Sequence, residues 1–318
     1  MEPQGGPSPD SGWARPDSPS DPDGAAPARG LFVAAPEAAA GPGRTPPMLP
    51  VPLRPMTLSD LLDGAFRVIK SRPRTVFGIA ATILVPVYLV GAFFQRNVLR
   101  NSPFGLPTIN GGGVVSFTGG DLVATLGAGL LVAAALFPLG GALARLVTAW
   151  YAGGDLSAGE ALAASFRRLP AMLAAFVVLL PLKVVGYAFE EVGALVPVTL
   201  FMLTAPAITV EGLGPIAAAR RSWRLVSRRF WPCLLVVFVC YLGSSVLSFA
   251  LGIIPEALAS LLPSPLDWLA AGVARAAVAM VVATAVVSVA VLLYLDLRIR
   301  TEGLDLELEA ADVFPRRA

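Results

Sequence analysis

Residues 220–231, RRSWRLVSRRFW, combine five arginines with three aromatic side chains. Arginines bind phosphate groups and aromatic rings stack on bases, so this composition can indicate a nucleic-acid site. The same residue types suit a helix that lies in the lipid headgroup layer. Helical spacing favours the membrane surface, because apolar side chains recur on one face and arginines flank it. The apolar positions are Ile216, Ala219, Trp223, Val226 and Phe230.

No group of residues in the sequence predicts catalysis. The chain has no histidine, which removes the commonest general base and metal ligand. We find no nucleotide-binding glycine pattern and no metal-ligand spacing, so we expect neither an enzyme nor a cofactor. Lys183 is the candidate functional residue within an apolar run, where an ionisable group often marks a transport path or instead reaches outward to the membrane surface.

The composition predicts an integral membrane protein, since 55% of the residues are hydrophobic and 14% are charged, against about 25% charged residues in soluble domains. Several runs are long enough, or nearly so, to cross a bilayer. They are 75–94, 122–149, 171–189, 192–210, 233–254 and 268–295. We therefore predict an all-α polytopic protein with about six transmembrane helices.

Basic residues predict the orientation of these spans. They cluster before the first span, between the second and third, between the fourth and fifth, and after the last. We therefore expect both termini to lie in the cytoplasm.

Three parts of the chain differ in composition. Residues 1–55 contain 14 prolines and predict a disordered cytoplasmic tail, residues 56–300 form the membrane domain, and 301–318 form a short acidic, leucine-rich tail. This last tail could pair with arginines on the cytoplasmic face or remain exposed. At the end of the last span, we expect Asp296 and Arg298 to form a local pair or cap.

The basic segments share one pattern. Phe66, Phe166 and Trp223 each precede an arginine and follow a small residue. Nine residues earlier stand Thr57, Ser157 and Gly214; the first two open capping boxes, and proline follows the glycine. We predict three amphipathic interfacial helices, each followed by two spans, in a threefold internal repeat. An alternative is that helices leading into a membrane share basic, amphipathic character without a repeat.

These helices supply the candidate contacts with the lipid bilayer, and with anionic lipid at the cytoplasmic face in particular. The candidate residues are Arg67, Arg167, Arg220, Arg221, Trp223, Arg224, Arg228 and Arg229. We expect no nucleic-acid partner, and a protein partner is compatible with the pattern but is not identified by it.

Two stretches carry a resemblance to a known group. LRPMTLSDLLDGAFRVIKSRPR at 53–74 and YLDLRIRTEGLDLELE at 294–309 resemble actinobacterial integral membrane proteins of unknown function. That group is related to the membrane domain of glycerophosphoryl diester phosphodiesterases. The resemblance covers about residues 53–310 and implies a multi-span helical domain. It provides no catalytic residue, because catalysis in those phosphodiesterases belongs to a separate soluble domain.

Taken together, these patterns favour a non-enzymatic membrane scaffold or accessory domain that organises a partner or lipid at the cytoplasmic face. The first alternative is a transporter or channel for a small solute or lipid, and the second is an enzyme that acts on lipid headgroups.

Overall fold

The computed structural model describes residues 56–96, 119–187, 190–260 and 267–303. Within these ranges the secondary structure is helical and contains no strand. The predicted tail at 1–55 and residues 304–318 of the predicted acidic tail lie outside the described residues. The all-α prediction is therefore confirmed for the part of the chain described.

The helices alternate between short amphipathic segments and long apolar ones. They are α1 (Leu58–Ser71), α2 (Pro73–Phe94), α3 (Gly119–Tyr151), α4 (Ala158–Arg167), α5 (Leu169–Tyr187), α6 (Glu190–Phe201), α7 (Thr204–Val210), α8 (Pro215–Ser227), α9 (Phe230–Ser260) and α10 (Asp267–Glu302). Each of the amphipathic helices α1, α4 and α8 is separated by only one or two residues from the apolar helix that follows it.

Five of the described segments are long and apolar enough to cross a membrane. They are Pro73–Phe94, Val123–Tyr151, Gly193–Val210, Phe230–Ile253 and Trp268–Glu302. A sixth candidate is the pair formed by α4 and the first part of α5, which meet at a bend of 58°. The prediction of about six membrane helices is thus confirmed as five or six candidates by length and composition.

The predicted starts of the amphipathic helices are confirmed. The Thr57 hydroxyl accepts a hydrogen bond from the backbone N–H of Asp60, whose carboxylate accepts one from the N–H of Thr57. Ser157 and Glu160 make the same reciprocal bonds before α4. α8 begins differently, with Gly214 in extended conformation and Pro215 at the first helical position, which proline suits because its missing N–H would have no partner there.

Glycines bring the long helices into close contact at two positions. A Cβ atom added to Gly141 in α3 would lie 2.3 Å from Cε of Met172 and 2.7 Å from Cγ2 of Thr209. One added to Gly272 in α10 would lie 2.8 Å from Cβ of Ala92 in α2. Gly127, in contrast, has open space around it. The structure therefore distinguishes the two glycines at helix contacts from a glycine that faces open space.

Gly141→Ala should destabilise the protein, because the added methyl group would overlap side chains of α5 and α7. Overpacking of this kind costs about 1–3 kcal/mol. Gly127→Ala is the matched control, since it adds the same methyl group to the same helix where nothing lies within 4 Å. Thermal unfolding in detergent should show a lower midpoint for Gly141→Ala alone. Equal midpoints for the two variants would contradict the close packing at Gly141.

Candidate functional site

The amphipathic helices α1, α4 and α8 bury small residues and expose aromatic ones. The position before each aromatic residue is buried and holds Ala65, Ser165 or Ser222. The position five residues before it is also buried and holds Leu61, Ala161 or Ala218. The aromatic side chains Phe66, Phe166 and Trp223 are 55%, 44% and 47% exposed. The shared register is one that a repeat would require, and the threefold repeat itself stays a prediction.

The structure divides the apolar stripe predicted for α8. Ala219 and Val226 are buried within the protein, whereas Ile216 and Trp223 are exposed. The buried face also includes Ser222, which the hydrophobic pattern did not select. Small side chains such as Ala218 and Ser222 let the helix backbone approach its neighbours, and Leu225 and Val226 complete the buried face.

The two buried serines anchor their helices to the preceding apolar segments. The hydroxyl of Ser165 donates a 2.7 Å hydrogen bond to the carbonyl oxygen of Pro138. The hydroxyl of Ser222 donates a 2.7 Å bond to the carbonyl oxygen of Leu200 and accepts a 3.3 Å bond from the N–H of Leu203. The bonds involving Ser222 therefore connect α8 to the break between α6 and α7.

A network of charged residues holds the buried side of α8 against the end of α10. The Nε of Arg221 donates to both carboxylate oxygens of Glu211, at 2.9 and 3.0 Å, and its Nη1 pairs with Glu302. The Tyr294 hydroxyl donates a 2.7 Å bond to Glu211, and Arg298 donates a 3.1 Å bond to Glu302. Two arginines and two glutamates balance, so the network brings no net charge into the protein.

The charge of Arg221 is fixed by this network. Burial alone would lower the pKa of its guanidinium, but hydrogen bonds from the guanidinium to Glu302 and Glu211 and their charges raise that pKa above its ordinary value. The guanidinium is therefore always protonated and committed to two carboxylates, one of which, Glu211, has a side chain only 8% exposed. This arrangement attaches α8 to the end of α10.

A second polar junction joins the start of α1 to α10. Asp296 accepts a 2.7 Å bond from the backbone N–H of Met56 and two 2.9 Å bonds from Nε of Arg300. Arg300 also donates a 2.7 Å bond to the Met56 carbonyl oxygen. The expected pair of Asp296 with Arg298 is therefore wrong. Residues two apart on a helix face different directions, whereas those four apart are neighbours.

The exposed side of α8 borders a groove of about 670 Å³ between α5 and α8. Its wall is mainly apolar and includes Val178 and Leu182 of α5, Phe201, and Ile216 of α8. The ring centroids of Trp223 and Phe201 lie 5.9 Å apart along this wall. Two arginines also line the groove, Arg220 and Arg224. Both are exposed, and neither has a carboxylate partner among the described residues.

The remaining candidate residues have separate locations. The side chains of Arg67, Arg167, Arg228 and Arg229 are exposed, and their contact with a membrane surface stays a prediction. Arg221 is the exception among the arginines selected by sequence, since it faces Glu211 and Glu302. Lys183 lies in α5, and its side chain is outside the description.

Sequence reasoning did not identify Glu211 and Glu302 as the partners of Arg221. Glu302 belongs to the segment predicted as an acidic tail, and it does contact an arginine of an amphipathic helix as one alternative proposed. Glu211 had a local signal: it is the acidic residue directly before Gly212, which has a φ of 67°, at the turn into an arginine-rich helix.

Comparison with protein families, with curated proteins and with solved structures finds no match to this chain. Among the described residues, no group of three or more histidines, cysteines or carboxylates could hold a metal ion. The arginine-bearing groove and the exposed aromatic–arginine faces form the candidate site.

Arg221→Gln should destabilise the protein by about 3 kcal/mol, because it leaves the buried Glu211 carboxylate without its cation. Breaking a buried pair costs about 3–5 kcal/mol, and the lower end applies because the side chain of Glu302 is 28% exposed. The neighbouring Arg220→Gln removes the same charge from an exposed position and should change stability by less than about 0.5 kcal/mol. Chemical denaturation of both variants measures the difference. Equal losses would show that the network does not anchor α8.

Proposed function

We propose that this protein is a non-enzymatic scaffold of the bacterial inner membrane that concentrates anionic lipid at the cytoplasmic face. The proposal includes cytoplasmic termini and membership of the actinobacterial membrane-protein group that the sequence resembles. A partner protein could use the same lipid-rich surface.

One observation carries the proposal: in each of three amphipathic helices, an exposed aromatic residue is followed in sequence by an exposed arginine. The pairs are Phe66 with Arg67, Phe166 with Arg167, and Trp223 with Arg224. Phe and Trp side chains occur on the apolar face of helices that lie at the membrane interface, and each arginine near an anionic membrane contributes about 1 kcal/mol of attraction. The three pairs together favour a surface that gathers negatively charged headgroups.

The organisation of α8 also supports a scaffold. Its buried side is held by the charge-balanced network around Arg221, so Arg220 and Arg224 can present their charges without having to hold the helix in place. A surface fixed in this way can bind lipid without a change in fold.

The combined variant Arg67→Gln, Arg167→Gln and Arg224→Gln should reduce the share of anionic lipid that co-purifies with the protein. Extraction in polymer-bounded native nanodiscs followed by lipid analysis measures that share against the bulk membrane. Each lost arginine corresponds to about a fivefold change in affinity, so the variant should approach the bulk composition. Lys183→Ala is the control and should behave as the unmodified protein does.

The scaffold proposal fails if the unmodified protein shows no enrichment of anionic lipid, or if the triple arginine variant keeps the full enrichment. Loss of a measured solute flux in Lys183→Ala liposomes, with lipid enrichment unchanged in the arginine variant, would favour a transporter instead.

The proposed orientation predicts opposite accessibility for two single cysteines. In a variant with Cys233 and Cys240 changed to alanine, Asn110→Cys should react with a membrane-impermeant thiol reagent in intact cells from which any outer layer has been removed. Ala152→Cys, in the exposed turn after α3, should react only after the membrane is opened. Reaction of both cysteines from the same side would contradict the six-span arrangement.

A further inference from the structure

The groove between α5 and α8 has the size of a ligand site. Its volume of about 670 Å³ lies within the range of about 300–1,000 Å³ that is typical of small-molecule sites. The apolar part of its wall comes from both helices, with Val178 and Leu182 on α5 and Ile216 on α8. The groove could therefore hold a hydrocarbon chain along its length.

Helical geometry places the two cations of this groove on the same face of α8. Arg220 and Arg224 are four residues apart on α8, so their side chains lie on one face about 6 Å apart at Cβ. Arginine guanidinium groups bind phosphate through paired, charge-assisted hydrogen bonds. Arg221, which lies between them in sequence, is committed to Glu211 and Glu302. The groove therefore has two guanidinium groups without a carboxylate partner among the described residues.

Only the third amphipathic helix carries this pair. The position three residues before the aromatic side chain holds Arg220 in α8, Asp63 in α1 and Ala163 in α4. In α1 the acidic residue would offset the charge of Arg67, and in α4 the second cation is missing. At the corresponding positions of the three helices, α8 alone therefore carries two cations.

The surroundings of the groove favour a lipid over a soluble anion. Beside Val178 and Leu182, the same helix exposes Val177, Val184 and Val185 at 63%, 60% and 60%. This apolar surface continues from the groove along α5, whose part up to Leu182 forms a bent candidate span together with α4. A soluble phosphate would leave the apolar wall unused, whereas a phospholipid uses both the arginines and the wall.

We propose that this groove binds one anionic phospholipid, with its phosphate between Arg220 and Arg224 and an acyl chain along Val178 and Leu182. Trp223 also lines the groove and packs against Phe201. The site deepens the proposed function and rests on it, since it turns a general attraction for anionic lipid into one defined binding position.

The test counts tightly held lipid on the full-length protein by native mass spectrometry, after release from nanodiscs of equal parts phosphatidylglycerol and phosphatidylcholine. The unmodified protein should retain one phosphatidylglycerol. Arg220→Gln with Arg224→Gln should weaken its retention about tenfold or more, because two cations near an anionic lipid are lost. Leu182→Trp should also weaken it by filling the groove.

Lys70→Gln with Arg74→Gln is the matched control, because it removes the same charge from two exposed positions that are not among the proposed lipid-contact residues. This control should keep the retained lipid within about twofold of the unmodified protein, because neither cation lines the groove and salt screens separated exposed charges. Unfolding midpoints of all variants verify that they are folded.

The outcomes separate the site from the proposed function. If both double variants lose phosphatidylglycerol equally, or if neither loses it, the defined site is wrong. The scaffold proposal then still stands, provided that the unmodified protein enriches anionic lipid in native nanodiscs. If inorganic phosphate displaces the lipid at low concentration, the groove recognises the phosphate alone and the lipid assignment is wrong. If no preference for phosphatidylglycerol over phosphatidylcholine is seen for the unmodified protein, both proposals fail.

Discussion

Close approach between apolar helices is the constraint on which the rest of this structure depends. In lipid, apolar surfaces gain little by leaving the hydrocarbon, so helices associate through tight packing and hydrogen bonds. Gly141 and Gly272 supply that packing at positions where a Cβ atom would overlap the neighbouring helix. The contact at Gly141 also places α3 beside Ser165, Met172 and Thr209. This contact therefore holds α4, which carries Ser165, at the place where α3, α5 and α7 meet.

Polar contacts then set where each amphipathic helix sits. Ser165 and Ser222 bond to backbone carbonyl groups of the preceding segments, and Asp296 binds the backbone N–H that precedes α1. Such bonds are directional, and an unmet partner in a buried position costs about 1–3 kcal/mol. They therefore specify one position for a helix that hydrophobic contact alone would allow to slide or rotate.

The candidate site follows from this division between the two sides of α8. Arg221 and its carboxylates hold the helix against α10, which leaves Arg220 and Arg224 beside an apolar groove. Neighbouring arginines on one helix therefore have different tasks, because a step of one residue turns the side chain by about 100°. The attachment and the proposed lipid contact can be changed separately by substitution.

The sequence by itself determined the helical class, the apolar segments and the beginnings of α1, α4 and α8. These features depend on local physics: apolar length, the spacing of hydrophobic residues and capping groups within three residues of a helix start. The tertiary structure decided which arginine is buried and which aromatic residues are exposed. It did so because the carboxylates that neutralise Arg221 lie outside its own helix, with Glu211 ten residues earlier and Glu302 at the end of α10. Composition shows that α8 is rich in arginines, and only the folded chain brings two carboxylates to Arg221.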